Sequence, residues 1–268
     1  MLLDPRNGEE FDLPPGSAPA RTWVMASTPR TGSTLLCRAL WDTGQVGAPK
    51  EYLNPMQVRD WEVRLGSRAS RWRHALLKGS LLGLVGRGPW PDARLRDHLS
   101  RVRARRTGPH GHFGLKIHHH HVRRWFVDAG RDPDAWLGHP TWIRIQRRDR
   151  VAQAVSWARA VQTGHWASTQ RAGWPPVYSR RHIAYRLACI EQDEAHWDRW
   201  FDAREEAPLV LHYEDVASDL EGTTKRVLRA LGVSDDDLRV QPALARQADE
   251  ISAAWCVRFR SEMGMPPA

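Results

Sequence analysis

The hexapeptide Pro29-Arg30-Thr31-Gly32-Ser33-Thr34 follows a short apolar run, Thr22 to Thr28 (TWVMAST), and precedes apolar residues at helical spacing over Thr34 to Thr43. A loop between a strand and a helix start aims several free backbone N–H groups, and the positive end of the helix dipole, at one point. That is a cradle for an anion. Gly32 lets the backbone turn close to a ligand, Ser33 and Thr34 offer hydroxyl donors, and Arg30 brings a planar charged fork suited to phosphate or sulfate oxygens. The spacing of an ATP or GTP loop, G-x-x-x-x-G-K-[ST], is not met, because both the first glycine and the lysine are missing. The strand-like run TWIRIQR (Thr141 to Arg147) ends in Arg147-Arg148, where a nucleotide-Mg²⁺ site would want a carboxylate. A cationic site of this kind suits an anionic donor other than ATP-Mg²⁺.

A second set of chemically capable residues follows the run FGLKI, namely Lys116 and the four histidines His118 to His121. Ligands of open α/β sheets gather at strand carboxyl ends, so Lys116 or a histidine such as His118 is placed to touch donor or acceptor. Adjacent residues cannot all converge on one ion, and no cysteine or carboxylate at ligand spacing accompanies the run, so no metal is expected. The three cysteines, Cys37, Cys189 and Cys256, stand alone and read as buried thiols of a reducing compartment.

The elements that must position these residues follow from hydrophobic patterning. Strands are predicted at Thr22 to Thr28, Phe113 to Ile117, Thr141 to Arg147 and Pro208 to Tyr213, separated by long helical stretches, which argues an α/β fold with a central parallel sheet flanked by helices. Ser179 to Arg204 is the longest predicted helix, with Ile183, Leu187, Ile190, Trp197 and Phe201 on one stripe. Residues 56–111, rich in Arg, Leu and Trp, are expected as a helical insertion. The 268 residues suit one domain, opening on a flexible segment of residues 1–20. No stretch of about 18 apolar residues and no basic, apolar leader occurs, so a cytoplasmic protein without a membrane span is expected. The net charge of +9 invites a nucleic-acid reading, but arginine supplies nearly all of it and is scattered through amphipathic segments, so no nucleic-acid partner is expected.

Three stretches carry a resemblance. STPRTGSTLLCRAL with TGQVGAPKEYLNP, RRDRVAQAVSWARAVQTGHW (Arg147 to Trp166) and LARQADEISAAWCVRFR (Leu244 to Arg260) occur in the order seen in the Stf0 family of sulfotransferases, which they resemble. The resemblance implies a P-loop-like sulfotransferase fold and a sulfuryl donor, PAPS (3′-phosphoadenosine-5′-phosphosulfate), that leaves as PAP. It further implies that Pro29, Arg30, Thr31, Gly32, Ser33 and Thr34 hold the 5′-phosphosulfate, and that Arg147 and Ser156 hold the 3′-phosphate. Arg246 and Gln247 would close over the donor, and Glu51 would be the general base beside Arg30. The alternative for Arg147 is a surface ion pair with Asp149, and for Glu51 a solvated loop carboxylate. Gln162 and Trp166, four residues apart near the end of the central helix, would share a face and line the acceptor pocket, with Trp166 stacking on a sugar ring or else packed in the core. The implied acceptor is a hydroxyl of a small molecule, a carbohydrate such as trehalose or a sugar-containing metabolite, and the implied assembly a homodimer. A P-loop-like small-molecule kinase and a non-catalytic polyanion-binding protein are the alternatives.

Overall fold

The computed structural model describes residues 2–14, 21–66, 89–164, 166, 175–236, 238, 240 and 250–267. Strands β1 (Arg21–Ser27), β2 (His112–His118), β3 (Thr141–Gln146) and β4 (Leu209–His212) form one parallel sheet in the order β2-β1-β3-β4. Each falls within a residue or two of an apolar run read from the sequence. Continuous apolar runs become strands here because helices cover both faces. In β1 the alternation of side chains sends Val24 and Ala26 into one core, with Tyr52, Trp61 and Trp125, and Trp23 and Met25 into another, with Leu36, Leu40 and Ile143.

The helices are α1 (Ser33–Asp42), α2 (Pro55–Leu65), α3 (Asp92–Arg106), α4 (His119–Trp125), α5 (Pro133–Leu137), α6 (Arg150–Thr163), α7 (Arg180–Asp202), α8 (Tyr213–Ser218), α9 (Leu220–Ala230) and α10 (Glu250–Glu262). The long helix α7 buries the whole predicted stripe, with Glu194 as its one buried carboxylate. Its apolar face meets α6 and α10 through Val151, Val155, Leu187, Ile190 and Phe259. Helices α2 and α3 belong to the insertion, and residues 67–88 between them lie outside the described residues. Among the described residues, no helix is long and apolar enough to cross a membrane.

The sheet order puts β2 on one side of β1 and β3 on the other. Their connections diverge at the carboxyl ends of β1 and β3, and a crevice of this kind is where open α/β sheets receive ligands.

The start of the chain departs from the expected flexible extension. Residues 2–14 form two 3-10 turns, Pro5–Asn7 and Glu9–Phe11, strapped to the insertion. Buried Asp60 accepts hydrogen bonds from the Leu3 and Asp4 N–H groups, both at 2.9 Å, and from the Asn7 amide at 3.0 Å. Fully buried Arg106 donates to the Gly8 carbonyl at 3.1 Å and also to that of Phe11. Buried charges need partners, and the first fourteen residues supply them.

Candidate active site

Thr28 to Gly32 form the turn between β1 and α1. Arg30 takes a left-handed conformation (φ 69°), as does Gly32 (φ 75°), which is the N-cap of α1 and places no side chain on the first-turn N–H groups. A Cβ at Gly32 would lie 2.6 Å from the Tyr213 ring, so only glycine fits. A non-glycine residue at positive φ is strained by about 1–3 kcal/mol and persists where its surroundings fix it. Here Gln153 donates to the Pro29 carbonyl (2.7 Å) and to the Thr28 hydroxyl (2.8 Å), Thr28 donates to Glu194 (2.8 Å), and the Thr31 hydroxyl donates to the Thr28 carbonyl (3.0 Å). Glu194 is held from below by Arg144 (2.8 Å) and Gln146 (3.0 Å).

Arg30 reaches across the crevice, donating from Nε to the Ser156 hydroxyl at 2.9 Å and from Nη1 to the Trp166 carbonyl at 2.6 Å. Arg147, at the end of β3, lies over the Tyr213 ring at 4.3 Å and is in no ion pair among the described residues. Its Nε is buried without a hydrogen-bond partner. Asp149, the alternative partner of Arg147, instead pairs with Arg260 at 2.7 Å and caps α6 by accepting from the Ala152 N–H. Burial and the neighbouring charge of Arg147 lower the Arg30 pKa to about 10, and burial lowers that of Arg147. Two mutually repelling guanidiniums stand near an uncapped helix start, an arrangement that suits an anionic ligand.

Glu51 follows the loop after α1 and meets β2. Its carboxylate sits 2.7 Å from the Lys116 ammonium and 3.5 Å from His118 Nε2, and accepts from the Asn54 amide at 2.9 Å. It is half-buried and fully partnered, unlike a solvated loop carboxylate. Burial alone would raise its pKa, but Lys116 and then His118 hold it well below the usual carboxylate range. Lys116 also donates to the Thr34 hydroxyl at 2.9 Å, so one buried ammonium joins Glu51 to the start of α1. His118 Nδ1 faces the Ser27 carbonyl at 2.9 Å and the Ser27 hydroxyl at 3.1 Å. Lys116 and His118 are buried on β2 and face the carboxylate.

Gln162 and Trp166 do not share a helical face. Helix α6 stops at Thr163 because Gly164 takes the left-handed conformation (φ 68°) that ends helices. Gln162 holds the backbone of Val177, donating to its carbonyl at 3.0 Å and accepting from its N–H at 2.8 Å. Trp166 is 46% exposed, which places it outside the core, and its carbonyl meets Arg30. Arg246 and Gln247 lie outside the described residues.

Sequence reasoning missed Tyr213, which backs both Gly32 and Arg147, and Gln153 and Glu194, which hold the loop. Gln153 carried a signal: it stands three residues before Ser156, hence on the same face of α6. Glu194 sits at a core position of the α7 stripe, where a carboxylate demands a partner.

The family model for Stf0 sulphotransferase matches residues 22–262. The chain is 28% identical over 273 residues to a trehalose 2-sulfotransferase of Mycobacterium tuberculosis, covering 93% of this chain and 99% of that protein. It is 29% identical over 264 residues to a trehalose 2-sulfotransferase of Mycolicibacterium smegmatis, covering 90% and 94%. Among solved structures, the sulfotransferase domain from the curacin biosynthetic pathway aligns over 93% of this chain and 99% of its own length, at 12% identity and a TM-score of 0.44. The chain is a sulfotransferase and belongs to the Stf0 sulphotransferase family.

Proposed function

We propose that the protein transfers the sulfuryl group of PAPS to a hydroxyl of a small carbohydrate, with trehalose as the first candidate, and releases PAP. The observation that carries this reading is Lys116, which contacts Thr34 at the start of α1 and Glu51 at 2.9 and 2.7 Å and so joins the donor cradle to a carboxylate suited to serve as base. The relatives named as trehalose 2-sulfotransferases support the choice of acceptor.

PAPS supplies an activated sulfuryl group on a phosphosulfate. Pro29 to Thr34 and the α1 N–H groups bind the 5′-phosphosulfate, and Arg30 stabilises charge gathering on the bridging oxygen as the S–O bond breaks. Arg147 and Ser156 bind the 3′-phosphate. Glu51, kept ionised by Lys116, accepts the proton of the attacking hydroxyl. Lys116 and His118 orient that carboxylate and border the acceptor, with Trp166 offering an exposed ring surface to a sugar. The same reading takes the chain as a single cytoplasmic domain that assembles as a homodimer, a point sedimentation decides.

Thermal unfolding in saturating PAP, in ATP with Mg²⁺, and in neither tests the donor. A ligand bound only to the folded state stabilises by about 2.7 kcal/mol at 100 times its Kd, which for a chain of this size is a rise of several degrees. PAP alone should raise the midpoint, and labelled PAPS should then sulfate trehalose. A shift with ATP-Mg²⁺ and none with PAP would overturn the donor assignment in favour of a kinase.

A further inference from the structure

We propose that His119, Asp193 and His196 form a binding site for one divalent transition-metal ion of the zinc class, separate from the residues assigned to donor and base. Their ligand atoms all lie within 4.8 Å of one another. Asp193 and His196 stand three residues apart and so on one face of α7, and His119 is the first residue of α4. The rings of His119 and His196 stack, with centroids 4.5 Å apart and planes 10° from parallel. His196 Nδ1 is buried with no hydrogen-bond partner. Among the described residues, no hydrogen bond or ion pair engages the Asp193 carboxylate or the His119 ring nitrogens. Three half-buried polar groups thus converge without bonding one another, and the buried Nδ1 of His196 costs free energy unless a partner completes it.

One cation is that partner. Two imidazoles and a carboxylate are a donor set for zinc and its neighbours, with a fourth position left to water. Bonds of about 2.0–2.1 Å bring tetrahedral donors to roughly 3.3 Å from one another, a closing of at most about 1.5 Å that side-chain rotation supplies. Hard oxygen-seeking cations gain little from two imidazoles, so the donor set selects against them, while Arg123 and Arg199, near enough to act on His119 electrostatically, lower the affinity for any cation. Bound metal would tie the first turn of α4 to the middle of α7, next to His118 on the Glu51 side.

The test uses the untagged full-length protein, stripped with chelator and titrated with Zn²⁺ by calorimetry. The expected result is one saturable equivalent, a raised thermal midpoint, no displacement by millimolar Mg²⁺, and affinity lowered at least about tenfold in Asp193→Asn and His196→Gln, each removing one of three ligands. X-ray absorption of the zinc-loaded wild type, which needs no variant to fold, should show two imidazoles and a carboxylate in the coordination shell. No saturable Zn²⁺ binding would overturn the proposal. So would undiminished binding in both variants, or a shell of three or more imidazoles, since either places the metal on a different set of residues.

Discussion

At the scale of single residues, the roles proposed for Glu51 and Arg147 separate chemistry from binding. Glu51→Gln keeps the shape and the Asn54 contact but cannot take a proton. Turnover should fall by roughly 10²–10⁴-fold while PAP raises the thermal midpoint as in the wild type, and undiminished turnover would remove Glu51 from the mechanism. Arg147 lies over the Tyr213 ring at the end of β3, and no described residue forms an ion pair with it. Arg147→Ala should weaken PAP by about 10- to 100-fold, as expected for charge-assisted hydrogen bonds of about 1.5–3 kcal/mol. Adenosine 5′-phosphate, which lacks the 3′-phosphate, should bind both proteins alike in calorimetry. Equal losses for the two nucleotides would move Arg147 away from the 3′ position.

At the scale of elements, the anion loop owes its shape to α6 and α7 as much as to its own residues. Gln153 on α6 holds Thr28 and Pro29, and Glu194 on α7 accepts from Thr28 while paired with Arg144, both members of that pair being buried. Arg144 also pairs with Asp198 at 2.7 Å, so removal of Glu194 leaves the guanidinium partly compensated while Thr28 and Gln146 lose their acceptor. Glu194→Ala should therefore destabilise by about 1.5–3 kcal/mol, as for hydrogen bonds to a charged group, whereas Thr28→Val, which deletes a neutral hydroxyl, should cost about 1 kcal/mol. Denaturant midpoints compare the two, and equal losses would show that the network does not depend on the carboxylate charge. Both elements were legible as a strand-loop-helix and an apolar stripe. Their junction was not, because a polar residue at a core position reveals that it needs a partner without revealing which one.

At the scale of the whole molecule, the start of the chain makes stability depend on acid. Burial by itself would raise the Asp4 pKa, but the Arg6 hydrogen bond and the Lys50 ammonium at 3.0 Å overcome it and hold the carboxyl well below its ordinary 3.8. A depressed carboxyl contributes stability that is present above the unfolded value and lost as pH falls toward the folded one. Wild type should therefore unfold at a higher temperature than Asp4→Asn at pH 5 and above, with the gap closing below about pH 4. A gap that persists unchanged at pH 3 would show that the strap does not hold Asp4 as a charge. Part of the positive charge serves packing at this scale, since several arginines lie over tryptophans, Arg204 on Trp200 at 3.6 Å and Arg94 on Trp90 at 3.7 Å among them. By itself the sequence determined the four parallel strands, the strand-loop-helix at Thr22 to Thr43 and the helix stripe, because apolar periodicity and a loop's place between strand and helix are local properties of the chain; the family followed from the resemblance of three stretches. Only the tertiary structure decided that residues 2–14 are strapped down, that Lys116 bridges Thr34 and Glu51, that Gly164 parts Trp166 from Gln162, and that Asp193 and His196 come to His119. Those depend on contacts between segments far apart in the chain, and the pairing of such segments is set by packing, which no local pattern encodes.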